Sequence, residues 1–181
     1  MEALGTMIGT YAPDFELPGT DGAVHHLTRY LENYKAVGVV FMCNHCPYVQ
    51  MYVDRLKQIQ QTFAYRGFTI IGINSNDADQ YPVDGYEQMQ EFTMEKELNF
   101  PYLRDMNQDV AYTFGAEKTP HVFLVNQQGV ICYSGAIDDN AQDANAVTQR
   151  HLEAAIAATL KGEAIAKPQT EPVGCSVKWR K

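Results

Sequence analysis

The run Ala36-Val37-Gly38-Val39-Val40-Phe41-Met42-Cys43-Asn44-His45-Cys46-Pro47-Tyr48-Val49 decides how the chain is read. Its first six residues are apolar throughout, as expected of a central strand covered on both faces. From Val49 onward the pattern changes: Val49, Tyr52, Val53, Leu56, Ile59, Gln60 and Phe63 recur at spacings of three and four. All but Gln60 are apolar, and Arg55, Lys57, Gln58 and Gln61 take the other side of an amphipathic helix. Pro47 falls in the first turn, where a missing N–H costs little. A strand that stops just before a helix delivers Cys43 to the helix N-terminus, where unpaired N–H groups and the dipole favour negative charge. A thiolate is such a charge, and it is the nucleophile of disulfide exchange. Cys43 and Cys46 therefore read as a dithiol–disulfide pair, Cys43 attacking from nearer the surface and Cys46 resolving. The rival is half a zinc site, but no second Cys-x-x-Cys or His pair completes one.

Outward from this stretch, Gly67 opens a second buried strand, Phe68 to Asn74. Ala12–Leu17 is extended and bounded by Pro13, Gly19-Thr20-Asp21-Gly22 is a turn, and a short strand or helix follows over 24–34. The polar segment 76–85, with Pro82, is a loop; a helix is expected over 86–98 and a short strand over 100–103. A short helix over 105–114 ends at Gly115. The strand His121–Val125 turns at Asn126-Gln127-Gln128-Gly129 and returns over 130–134. A last helix is expected over 144–160, with Asp138, Asp139, Asn140 and Asp143 capping it. Cys132 reads as a small buried apolar residue. His121 reads as a strand residue before it reads as a border of the site, and Cys175 as a packed or exposed tail cysteine before it reads as a third exchange partner brought to the pair by a mobile tail.

The chain has 181 residues, 45% of them hydrophobic and 20% charged, which fits one domain spanning 1–181 with an extension over 1–36 and a tail over 163–181. The formal net charge of −8 argues against nucleic acid as a partner. No stretch reaches the roughly 18 apolar residues of a membrane helix. Met1–Gly5 shows no basic patch followed by an apolar core, so a cytoplasmic location is expected. Four cysteines, two of them in one tight pair, suit catalysis in a reducing compartment better than cross-linking.

With these residues quoted, the chain resembles the thioredoxin superfamily, near the group shared by TlpA-like thiol–disulfide proteins and AhpC/TSA peroxiredoxins. The matching pieces are Ala12-Pro13-Asp14-Phe15, Cys43-Asn44-His45-Cys46-Pro47, Phe100-Pro101-Tyr102-Leu103-Arg104-Asp105, Thr119-Pro120 and the Gly174-Cys175-Ser176-Val177-Lys178-Trp179 tail. The resemblance implies an α/β thioredoxin-like fold: a central mixed sheet flanked by helices, with an extra helix and strand between the Cys helix and Pro120. It implies a cis Pro120 packed against the pair, Thr119 and Asn44 meeting substrate, and His45 stabilising the Cys43 thiolate. There are departures from the relatives. Peroxiredoxins place Thr or Ser three residues before the peroxidatic Cys and Pro seven before; counted from Cys46, this chain has Cys43 and Val39. The Gly-Pro of thioredoxins is replaced by Asn44-His45, and no carboxylate stands among Val37–Phe41.

The expected activity is thiol–disulfide exchange through Cys43 and Cys46 with protein or small-thiol partners, a thioredoxin-type reductant among them. That chemistry needs no organic cofactor and no metal. A thiol peroxidase and a metal- or partner-binding thioredoxin-fold protein are the alternatives.

Overall fold

The computed structural model describes residues 7–181, so the leader-related reading of Met1–Gly5 and the start of the 1–36 extension lie outside the described residues. The strands are β1 Glu16–Pro18, β2 Val24–His26, β3 Ala36–Phe41, β4 Phe68–Asn74, β5 Tyr102–Arg104, β6 Lys118–Thr119, β7 His121–Asn126, β8 Ile131–Gly135 and β9 Cys175–Ser176. The helices are α1 Leu27–Asn33, α2 Pro47–Phe63, α3 Tyr86–Glu95, α4 Asp109–Phe114 and α5 His151–Lys161.

Five strands form one mixed sheet in the order β5-β4-β3-β7-β8. β3 lies at its centre, parallel to β4 and antiparallel to β7. Every residue of β3 and of β4 is buried, as the apolar run of β3 and the Phe68, Ile70, Ile71 and Ile73 of β4 require of strands covered on both faces. One face carries α2, α3 and α5, which bury Val49, Leu56, Met89, Leu152 and Ile156 against Val40 and Leu124. The other carries α1, α4 and the β1–β2 hairpin around Phe41, Phe114 and Phe123. Those three rings pack pairwise at centroid distances of 5.4–5.8 Å in tilted or edge-on geometry, worth about 0.5–1.5 kcal/mol per pair beyond their area.

Helix α2 buries the seven residues of its predicted stripe, including the polar Gln60. Gln60 is there because its Oε1 accepts from Ile70 N at 2.7 Å and its amide reaches Thr69 Oγ1 at 3.3 Å. The helix thereby clips onto β4 through a polar bond inside the apolar layer. The outer strands are both covered. Residues 19–20 bridge β5, with Thr20 N donating to Tyr102 O at 2.9 Å. Along β8, Thr10 and Gly9 bond Ile131, and Pro168 and Thr170 bond Ser134.

Three boundaries differ from expectation. The segment 24–34 holds both a strand, β2, and a helix, α1. Helix α3 stops at Glu95, followed by Glu97 in the left-handed region at φ 49°. The last helix starts at His151 rather than near Ala144, because 144–146 is an isolated 3-10 turn whose cap is Asp143. The acidic cluster does not cap α5. Asp138 instead accepts from Tyr52 Oη at 2.7 Å and pairs with Arg55 at 2.9 Å, and Asp139 bonds Thr148.

Candidate active site

The site begins where β3 ends. Met42 N still donates to Ile73 O at 2.9 Å, and the chain then leaves the sheet through Cys43, Asn44 and His45. Pro47 occupies the first helical position, which fixes where α2 starts and makes Cys46 its N-cap residue. Cys43 therefore sits one turn outside the helix, and Cys46 takes the position at the helix N-terminus that the sequence assigned to Cys43. Nor is Cys43 the more exposed of the two, since each is 1% exposed.

The sulfurs differ sharply in electrostatics. The Cys43 thiol donates to Cys46, holding the Cys46 thiol down at about 4, with the Cys175 thiol, the Val49 amide and Thr119 acting in the same direction against burial. Cys43 is pushed well above the ordinary thiol range by that same donated bond, by burial and by the Asp84 charge. The reduced pair thus carries its negative charge on Cys46, as the open N–H groups of the helix N-terminus favour.

Thr119 stands across from both sulfurs. Its Oγ1 is 3.6 Å from Cys43 Sγ, and its carbonyl is 3.3 Å from Cys46 Sγ, whose thiol form donates to it. The Thr119–Pro120 peptide is cis, as expected from the resemblance. Beyond it, His121 is buried in β7, its Nδ1 accepting from Glu117 N at 3.1 Å, and burial lowers its pKa to about 4.

The carboxylate that β3 lacks is supplied by Asp84. It is fully buried and accepts from Asn44 N at 2.8 Å, Asn74 Nδ2 at 3.2 Å and Asn76 Nδ2 at 3.1 Å, and pairs with His45 Nδ1 at 2.8 Å. Asp84 belongs to a 3-10 turn, Pro82–Asp84, in the loop after β4. Its only signal in the sequence is an acidic residue between Pro82 and Gly85, too common in turns to single it out. His45, one-third exposed, stacks on Tyr81 with centroids 5.9 Å apart. Ligand atoms of Cys43, His45 and Asp84 lie within 4.8 Å of one another, a spacing a metal ion would accept.

Asn44, expected to meet substrate, is turned inward. Its Nδ2 donates to Val83 O at 2.9 Å and its Oδ1 accepts from Tyr102 Oη at 2.7 Å, so both ends of its amide are committed. It orders the Cys43–Cys46 turn from within. Cys132 is half-buried beside Leu124 O and Thr159, away from the pair. Cys175 is a packed tail cysteine: β9 pairs with β6 in the register Thr119↔Cys175, and Cys175 lies against the apolar cluster that contains Cys43 and Cys46.

Comparison with known proteins adds a family and near relatives. The AhpC/TSA family model matches residues 8–134. The thiol-disulfide oxidoreductase ResA of Geobacillus thermodenitrificans (strain NG80-2) is 25% identical over 72% of this chain and 70% of its own. A hypothetical protein of Sinorhizobium meliloti 1021 superposes with a TM-score of 0.91 at 33% identity, over 99% of this chain and 98% of that one. An uncharacterized conserved protein from Geobacillus kaustophilus matches with a TM-score of 0.91 at 34% identity, over 99% and 96%. The fold is thioredoxin-like.

Proposed function

The chain belongs to the AhpC/TSA family, and from that premise we propose that it is a thiol–disulfide oxidoreductase whose redox-active centre is Cys43 and Cys46. One observation carries the reading: two buried thiols converge on Thr119 at the start of a helix, Cys43 Sγ 3.6 Å from its hydroxyl and Cys46 Sγ 3.3 Å from its carbonyl, in surroundings that favour charge on Cys46 and keep the proton on Cys43. That is the ground state of an exchange couple. The similarity to ResA supports it.

In this reading the Cys46 thiolate attacks one sulfur of a partner disulfide, forming a mixed disulfide and releasing one partner thiolate. Cys43 then loses its proton toward the neighbouring His45–Asp84 pair and attacks Cys46. The mixed disulfide breaks, the second partner thiol leaves, and Cys43–Cys46 remains as the disulfide. The two electrons pass to the partner, and a reducing thiol, of thioredoxin type, reverses the sequence. Protein thiols and disulfides are the partners this chemistry fits, and a reducing compartment such as the cytoplasm suits four cysteines of which only two are close in sequence. His45 and Asp84 hold the turn and receive the Cys43 proton, and Thr119 holds both sulfurs.

Family membership also favours a second reading, a thiol peroxidase attacking peroxide with Cys46. Cys46-Pro47 opens the helix as that chemistry requires, while Cys43 stands where peroxiredoxins carry Thr or Ser. A redox titration in glutathione buffers, with trapped thiols scored by mass spectrometry, separates the two. A two-electron couple confined to Cys43 and Cys46, lost in Cys43→Ser and Cys46→Ser, is the expected result. A pair that stays reduced across the range defeats the exchange reading. Peroxide consumption far faster than that of free cysteine would move the peroxidase to the front.

A further inference from the structure

Cys43 and Cys46 are each 1% exposed, within reach of a small thiol far more readily than of a folded protein, whereas Cys175 is partly exposed. The three thiols meet around one residue. Thr119 lies 3.6 Å from Cys43 Sγ through its hydroxyl and 3.3 Å from Cys46 Sγ through its carbonyl, and it is the register partner of Cys175. Cys175 also packs at the edge of the apolar cluster that contains Cys43 and Cys46.

The tail is held in this register on both sides of the cysteine. Before it, Gly174 lies so close that an added Cβ would stand 2.2 Å from Thr119 O, so no side chain fits. After it, Val177 N donates to Glu117 O at 3.1 Å and Lys178 N to Asn76 Oδ1 at 2.9 Å. Lys178 O accepts from Asp77 N at 2.8 Å and from Gln108 Nε2 at 2.9 Å. These bonds tie the segment to the same loop after β4 that carries Asp84. A merely covering tail needs no thiol at the one residue opposite Thr119.

We propose that Cys175 is a relay thiol, exchanging with Cys46 to carry the disulfide of the buried pair to the surface, where partner thiols meet it. This rests on the reading of Cys43 and Cys46 as an exchange couple. In the step, the Cys175 sulfur, as thiolate, attacks Cys46 Sγ of the Cys43–Cys46 disulfide. The Cys46–Cys175 bond forms as the Cys43–Cys46 bond breaks, and Cys43 leaves with the electron pair and takes up the proton that Cys175 lost. No net oxidation occurs. A partner thiolate then attacks Cys175, and Cys46 leaves as the stabilised thiolate. In this second step the leaving group is Cys46, the thiol of lower pKa, which is the faster to leave.

The test is oxidation of the full chain with oxidised glutathione, acid quenching, trapping of free thiols and peptide mapping without reduction. The wild type is expected to give a Cys46–Cys175 linkage beside Cys43–Cys46. In Cys43→Ser, glutathione first caps Cys46, and Cys175 then displaces it, forming Cys46–Cys175 at a rate independent of protein concentration. The glutathione adduct should persist at least about tenfold longer in Cys43→Ser/Cys175→Ser. Cys175→Ser alone should still form Cys43–Cys46 with glutathione but reduce or oxidise a folded protein partner such as insulin about tenfold more slowly. Absence of the Cys46–Cys175 linkage from both wild type and Cys43→Ser, with Cys43–Cys46 forming normally, overturns the relay and leaves the exchange couple standing. Cys43→Ala repeats the arm if Cys43→Ser fails to fold. A wild type that forms no Cys43–Cys46 disulfide at any glutathione ratio removes the couple itself, and the relay with it.

Discussion

Asp84 Oδ2 and His45 Nδ1 stand 2.8 Å apart, joining the exposed ring of the Cys43–Cys46 turn to a carboxylate with no exposure at all. The same carboxylate holds the Asn44 amide and the side chains of Asn74 and Asn76, while Arg104 Nη1 donates to the Asp84 main-chain oxygen at 3.3 Å. The Cys43–Cys46 turn and the end of β4 are thus fixed on one buried charge. Charge-assisted bonds of this kind contribute about 1.5–3 kcal/mol each when one partner is removed.

Replacing that charge has two expected effects. Asp84→Asn should destabilise the fold by about 2–3 kcal/mol, read from urea midpoints at unchanged slope. It should also raise the reduction midpoint of Cys43 and Cys46. The Asp84 charge helps keep Cys43 protonated, so its removal favours the charged, reduced pair over the uncharged disulfide. A shift on the order of 30 mV would match 1.4 kcal/mol of lost repulsion. An unchanged midpoint would show that the charge does not reach the sulfurs.

The thiolate on Cys46 sets a pH profile. With its thiol held down at about 4, the ultraviolet absorbance of the thiolate should be flat through neutral pH and disappear as pH falls through about 4. Cys43→Ala removes the largest stabilising bond, so the transition should move toward the ordinary thiol range. A transition that stays in place would assign the charge to the helix terminus alone.

His121 makes the fold acid-sensitive. Burial lowers its pKa to about 4 from 6.5, so the unfolded chain binds the proton first as pH falls. Stability is unaffected above about 6.5 and drops progressively between about 6.5 and 4, by at most about 3 kcal/mol at 1.36 kcal/mol per unit. Denaturant midpoints across this range, compared with His121→Gln, measure it; parallel curves would exclude His121 as the source.

Arg55 crosses from α2 to the segment before α5. It pairs with Asp138 at 2.9 Å and donates to the main-chain oxygens of Asn140 and Ala141 at 2.6 and 2.7 Å. Asp138 is largely buried, so Arg55→Met leaves a poorly paired charge and should cost about 3 kcal/mol. The double variant Arg55→Met/Asp138→Asn should recover part of that loss. Thermal denaturation of the set distinguishes pairing from simple packing, which the second change would not rescue.

Gly174→Ala probes the tail. Because the added Cβ would meet the Thr119 main chain, the β6–β9 pairing has to open. Hydrogen exchange at Val177 N and Lys178 N should then accelerate, and Cys46 should react faster with a small alkylating reagent. Unchanged protection would mean the tail shifts without releasing.

Most of the framework is written locally. The stripe on α2, the apolar run of β3, the largely apolar β4 and the turn at Asn126–Gly129 follow from periodicity and turn chemistry, and each forms where expected. The site is harder because its parts are not neighbours in the chain. Asp84 lies in a polar loop whose composition resembles any other, and only the parallel pairing of β3 with β4 brings that loop to the cysteines. Cys46 rather than Cys43 stands at the helix N-terminus for one reason, the helix start at Pro47. The resemblance has Asn44 meeting substrate; Val83 and Tyr102, both distant in sequence, turn it inward.

The covered outer strands bear on how this molecule meets others. Residues 19–20 lie along β5, and residues 9–10 and 168–170 lie along β8. An open strand edge is a template on which another chain extends the sheet, and also the usual starting point of edge-to-edge aggregation. Both ends of this sheet are occupied by the protein's own backbone. Neither edge is left free for an added strand, and under the proposed exchange reading a transient covalent bond would hold a partner instead.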